Sequence, residues 1–100
     1  MDGPLVELRD GRIHIAGDLT MHRALEIHPV LLESLEKGDA LPNLDLSGVG
    51  EIDTAGLQIL MSADREVLGR GGRLVIVAAS QAVADVLALF RQEHLMESAQ

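Results

Sequence analysis

One hundred residues, 47% hydrophobic and 24% charged, are expected to form one globular domain over residues 1–100, with room for a single modest core. A formal charge of −8 argues against nucleic acid, which needs clustered Lys and Arg, and suits a basic protein surface instead. There is no cysteine, which excludes disulfides, thiolate chemistry and Cys-based zinc sites. No apolar run approaches the roughly 18 residues of a membrane span, and Met1-Asp2-Gly3-Pro4 lacks the pattern of a signal peptide. The expected location is therefore cytoplasmic.

Residues 4–17 read as a β-hairpin. Val6 and Leu8 alternate with Glu7 and Arg9, Asp10-Gly11 supplies a tight turn, and Ile13 and Ile15 return on either side of His14. Thr20 is placed to cap a helix whose apolar positions are Met21, Ala24, Leu25 and Ile27. Pro29 then removes a backbone donor and crowds the preceding turn, at about 3 kcal/mol inside a helix. A kink is expected there, or a restart with Pro29 in the first turn of a second helix. Val30, Leu31, Leu32 and Leu35 carry an apolar face on to Lys37-Gly38, a helix stop, and residues 39–42 form a connector.

Residues 44–60, LDLSGVGEIDTAGLQIL, carry the densest signal in the chain. Leu44 and Leu46 alternate as a strand, Ser47, Gly48, Val49 and Gly50 read as a Gly-punctuated turn, and Asp53-Thr54 stands where a helix begins. Both side chains can accept from the unpaired N–H groups of a first helical turn, so the pair is first of all a cap. The dipole of that turn also favours negative charge, which suits a hydroxyl there to carry a phosphate.

The helix after Thr54 is expected to run to Leu68 or Gly69. Gly56, Leu57, Ile59, Leu60, Met61, Ala63, Val67 and Leu68 fill an arc of about 200° that encloses Asp64. Burying a lone carboxylate is costly, so part of that arc should stay accessible beside Asp64. Gly71-Gly72 ends the helix, and residues 73–78 (RLVIVA) form a nearly continuous apolar strand. Ser80 caps a last helix with Val83, Val86, Leu87 and Phe90 at i, i+3, i+4 and i+7, where Phe90, the one aromatic, reads as a core anchor.

Strands alternating with helices predict an α/β fold, a mixed and mostly parallel sheet of about four strands with the helices on one face. Residues 92–100 have too little apolar content for another buried element, although Leu95 and Met96 can fold back on the sheet. An apolar edge or helix face left uncovered would be a place for a homodimer to form.

No catalytic set emerges, and the chain is read as a non-enzyme without metal or cofactor. His14, His22, His28 and His94 are scattered, and His22 and His28 fall about 240° apart on a continuous helix. Gly48 and Gly50 lack the rest of any nucleotide fingerprint. Ser47, Ser62 and Ser80 have no evident base and read as turn, surface or capping residues.

Asp45-Leu46-Ser47, followed by Ile52-Asp53-Thr54-Ala55-Gly56-Leu57 and later by Gly71-Gly72 before an apolar strand, resembles the signature of the STAS family, the sulfate-transporter and anti-sigma factor antagonist domains. The resemblance implies a bacterial signalling module whose Thr54 is phosphorylated, and a partner-binding surface of Asp18, Asp53, Thr54, Ala55, Gly56, Leu57, Gln58 and Met61. It implies as partner a histidine-kinase-like serine/threonine kinase acting as anti-sigma factor, released on phosphorylation, with a PP2C-type phosphatase to reset the switch. Gly17-Asp18-Leu19-Thr20 resembles the family's G-E-L-D corner beside the phosphorylatable hydroxyl, with Thr20 in place of the second acid. In some relatives a second hydroxyl, at the place of Ser80, is also modified. The alternative implied by the same family is an unphosphorylated accessory subunit of a lipid-transport ABC ATPase, or a chemotaxis-associated signalling protein.

Overall fold

The computed structural model describes residues 5–37 and 43–96. The Gly38 stop signal, the connector at 39–42, Pro4 and the last four residues lie outside them. The elements run β1 (Leu5–Arg9), β2 (Arg12–Leu19), α1 (Met21–Lys37), β3 (Asn43–Ile52), α2 (Thr54–Gly69), β4 (Val75–Ala79) and α3 (Gln81–Leu89), then a short 3-10 turn at Glu93–Leu95. The strands form one sheet in the order β1-β2-β3-β4, with β1 antiparallel to β2 and the other two pairs parallel.

The hairpin forms as its sequence demands. Asp10 and Gly11 both have positive φ, 56° and 75°, which the tight turns matching strand twist require, and they bring Arg9 opposite Arg12. Ile13, Leu44 and Ile76 stand in one row across β2, β3 and β4, each buried. Their face of the sheet joins Ile27, Leu31 and Leu35 of α1, Leu60 and Val67 of α2, and Val83 and Leu87 of α3 in one hydrophobic cluster. The helices thus share one face, because each has a single apolar stripe and the sheet offers one apolar side. The other side carries His14 and Asp45, with His14 Nδ1 3.5 Å from Asp45 Oδ2.

Asp45 also accepts from Ser47, 2.6 Å from its Oγ and 2.9 Å from its backbone N. Those two bonds, with smaller contributions from His14 and Arg12, hold the Asp45 carboxyl below its usual pKa against the opposing effect of burial. A depressed folded pKa adds stability that is present above the usual value of about 3.9 and is lost as pH falls through the lower folded one. Ser47→Ala is therefore expected to cost about 1 kcal/mol at neutral pH. In urea titrations across pH, the gap to wild type should close as the solution falls below the ordinary carboxylate range.

Three expectations need correction. β3 does not turn at Ser47 but continues through Gly48, Val49 and Gly50 to Ile52, pairing Gly48 with Ala16 and Ile52 with Leu19. The glycines serve close approach rather than a turn: a Cβ on Gly48 would lie 3.0 Å from the Ala16 Cβ, and one on Gly50 would lie 3.0 Å from Asp18 Oδ1. α1 does not restart at Pro29, which sits inside one continuous helix. The carbonyl that loses its donor belongs to Leu25, and both Leu25, 71% exposed, and Pro29 face solvent, so water can take the missing bond. Pro29→Ala should accordingly raise stability by about 1–3 kcal/mol, the part of the helix-interior penalty that hydration has not offset, read as a higher urea midpoint at unchanged slope.

Phe90 is not a core anchor. It is 43% exposed because α3 ends at Leu89, one residue before the stripe would have brought it inward. Arg91 follows with φ 59°, and the N–H groups of Arg91 and Gln92 return to the carbonyls of Ala88 and Leu87. Leu95 takes the buried place, 1% exposed, and Met96 bridges to Ile76 in the parallel sense. The tail thus folds back on the sheet through Leu95 and Met96, as its two apolar residues allowed.

Candidate functional site

The ends of β2 and β3 deliver two helix starts to one place. Asp53 caps α2 with an extended backbone, its Oδ1 accepting from Ala55 N at 2.9 Å and Gly56 N at 3.2 Å. Its other oxygen, Oδ2, accepts from Met21 N at 3.2 Å, the first residue of α1. One carboxylate therefore satisfies donors of two helices whose positive ends converge on it. Thr20 holds the capping position of α1 through its carbonyl, which accepts from Ala24 N at 2.8 Å, while the side chain that reaches into the first turn comes from Asp53.

Further ties close the joint. Asp53 N donates to the Leu19 carbonyl at 3.4 Å, and Glu51 N donates to Asp18 Oδ1 at 3.1 Å. Gly56 presses so closely on the end of β2 that a Cβ there would fall 2.2 Å from the Leu19 carbonyl oxygen. Further along, His28 Nε2 and Ser62 Oγ meet at 3.4 Å between α1 and α2.

Thr54 is the first residue of α2 and is exposed, and no hydrogen bond ties its hydroxyl to another described residue. Asp53, half-buried, directly precedes Thr54, and half-buried Asp18 is tied to exposed Glu51 through the Glu51 N–H. Gln58, one turn on, is exposed, and Ala55 and Met61 are half-buried. Gly56 and Leu57, expected in a partner-binding surface, lie inside: Leu57 is 3% exposed and packs in the core, and Gly56 is spent on the contact with Leu19. The accessible end of α2's apolar arc is instead Met61 and Leu68, the latter 50% exposed, on either side of the half-buried Asp64.

Sequence reasoning missed the ties of Met21 to Asp53 and of Glu51 to Asp18 because both enter through backbone N–H groups, 32 and 33 residues from their carboxylate partners. The signal that could have found them is the glycine spacing, Gly50 and Gly56 flanking Asp53, where backbone must come close. Ser80 acts as a cap, its Oγ accepting from Val83 N at 3.3 Å. Among the described residues no group of three or more His, Asp or Glu side chains is placed to hold a metal ion, and no helix is long and apolar enough to cross a membrane.

Comparison with known proteins agrees with this architecture. The unphosphorylated anti-sigma factor antagonist SpoIIAA superposes with a TM-score of 0.76 at 18% identity, covering 98% of this chain and 89% of that one. An anti-sigma factor antagonist from Mycobacterium paratuberculosis gives 0.75 at 24% identity, over 93% of this chain and 80% of that one. The phosphorylated form of the Bacillus cell fate determinant SpoIIAA gives 0.69 at 16% identity, over 98% and 92%. At such identities the likeness establishes a common fold. No curated protein sequence matches the chain. The sequence model of the family described as "Mlab, STAS domain" matches residues 6–97, nearly the whole length, and with the strand order, the Asp53-capped start of α2 and the Asp-Thr-Ala-Gly-Leu turn it places the chain in the STAS domain family.

Proposed function

We propose that the protein is a phosphorylation-switched binding module of the anti-sigma factor antagonist kind. Unmodified, it binds a histidine-kinase-like serine/threonine kinase that acts as anti-sigma factor; phosphorylated at Thr54, it lets go. One observation carries this reading: the Thr54 hydroxyl is exposed and unengaged at the first position of α2, directly after the Asp53 cap. Two of the folds it shares, those of SpoIIAA, are described in unphosphorylated and phosphorylated forms, which supports a modifiable site in this architecture.

In the transfer step Thr54 Oγ1 attacks the γ-phosphorus of the partner's ATP. The bond to the β-phosphate oxygen breaks, ADP leaves, and the hydroxyl proton passes to a base that the partner supplies. The product carries about −1.5 to −2 charges among acids that a bound partner would have to desolvate. Asp18, Thr54, Ala55, Gln58 and Met61 form the docking surface, with Asp53 shaping it from within. A PP2C-type phosphatase resets the hydroxyl. The test is incubation with the kinase and ATP: a phosphate mass shift, absent in Thr54→Ala, is the expected result, and no shift with the cognate kinase defeats the reading.

The family description "Mlab, STAS domain" favours a second reading, the constitutive accessory subunit. There the same surface holds a transporter ATPase and Thr54 gives only an interface hydrogen bond. Partner binding that is indifferent to Thr54→Glu would select it.

A further inference from the structure

The clasp formed by Asp53 has a consequence for how the state of Thr54 is transmitted. Met21 N, at the start of α1, has Asp53 Oδ2 as its acceptor, and the same carboxylate holds Ala55 N and Gly56 N of α2 through Oδ1. Of the three bonds, the one to Met21 is the exposed one that crosses between helices, at 3.2 Å. Immediately beyond it lie Met21 and Leu25, 61% and 71% exposed and four residues apart on one face of α1. At the ends of the same two strands, Asp18 accepts from Glu51 N at 3.1 Å, a further tie between β2 and β3.

We propose that Asp53 is a relay. A phosphate on Thr54 shifts the adjacent carboxylate, opens its bond to Met21 N, and loosens the first turn of α1 together with the apolar pair Met21 and Leu25. The physical reason is competition. A phosphate on Thr54 and the Asp53 carboxylate are anions on consecutive residues, and both are drawn to the N–H groups of one helix start. Repulsion between them is relieved by moving Asp53, and the exposed tie to α1 gives first. Modification at one helix thereby alters a surface on another, so a partner that reads α1 senses Thr54 without touching it. This rests on the reading that Thr54 is modified, although it concerns the isolated chain and needs no partner.

The experiment is amide hydrogen exchange followed by NMR on the full chain, unmodified and with phosphothreonine placed at position 54 by peptide ligation. The Met21 amide should exchange roughly tenfold faster in the phosphorylated chain, the loss of one ordinary hydrogen bond. In Asp53→Asn the Oδ1 acceptor for α2 is kept, but an amide N–H faces Met21 N, so exchange should already be fast and phosphate should add nothing. Asp53→Ser, which caps α2 but is too short to reach α1, serves if Asp53→Asn fails to fold. Thr54→Val, uncharged, should leave Met21 protected. Equal protection of Met21 with and without phosphate overturns the relay, as does an equal acceleration in wild type and Asp53→Asn. Loss of kinase binding on phosphorylation with Met21 still protected defeats the relay alone; an intact relay with unchanged kinase binding defeats the proposed function alone.

Discussion

Replacing Gly56 by alanine should destabilise the protein by about 3 kcal/mol or more, at the upper end of what overpacking costs. The added methyl would fall 2.2 Å from the Leu19 carbonyl oxygen and 2.9 Å from both Ile52 Cγ1 and Leu19 Cβ. The nearest of these is backbone in a central strand, where no side chain can swing aside. Relief would require α2 to lift off the end of β2, taking with it the buried Leu57 and Leu60 and the bonds of Asp53 to both helices. For a domain of this size, about 3 kcal/mol corresponds to a fall in Tm of at least about 12 °C. Gly69→Ala is the matched control: nothing lies within 4 Å of its Cβ position, and it should be neutral or gain up to about 1 kcal/mol from helix propensity. Thermal unfolding of the two variants side by side checks the assignment. Equal behaviour would mean that Gly56 is not held against Leu19.

Introducing charge at Thr54 should have the largest effect on binding. A phosphate there is expected to weaken the kinase complex about a hundredfold, since even about 3 kcal/mol of unfavourable interaction with acids that the bound partner covers amounts to two decades. Thr54→Glu brings only one negative charge and should weaken it tenfold or more, whereas Thr54→Ala should stay within a few-fold of wild type. Titration calorimetry at two salt concentrations separates this from simple steric loss. The exposed part of the repulsion is screened as ionic strength rises, so the Glu variant should recover part of its affinity. Stability is a useful companion measurement, because Thr54 is exposed and unbonded, and none of these substitutions should change the unfolding free energy from urea titration by more than about 0.5 kcal/mol. A variant that loses both folding and binding would point to the clasp, and one that loses binding alone would point to the hydroxyl.

Much of the architecture was legible in residue order because its causes are local. Asp10-Gly11 can sit at positive φ, so the hairpin and its register follow. Ser80 and Asp53 carry short oxygens where helices start, and Gly71, at φ 83°, lets α2 close with the N–H groups of Gly71 and Gly72 on the carbonyls of Leu68 and Val67. The period of apolar residues located the helices and the one buried face of the sheet. Local rules misled where a local cost was offset from outside the segment. Pro29 stays in α1 because the helix is held by Ala24, Ile27, Leu31 and Leu35 in the core while the freed carbonyl faces water. Phe90 obeys the stripe's spacing and still faces out, because the helix closes before reaching it.

The amino-acid order by itself determined the elements, the core-facing stripes, the acidic character of the surface and the presence of a hydroxyl at a capped helix start. Each of these depends on residues within a few positions of one another, or on composition. Only the tertiary structure decided that Gly48 and Gly50 lie within β3 rather than in a turn, that Gly56 is pressed against Leu19, that Leu57 points inward, and that Asp53 serves α1 as well as α2. Those outcomes depend on two strands that end side by side although more than 30 residues separate Asp18 from Glu51 and Met21 from Asp53. A hydrogen bond to a backbone N–H carries no mark of its partner in the sequence, since every residue but proline offers the same donor.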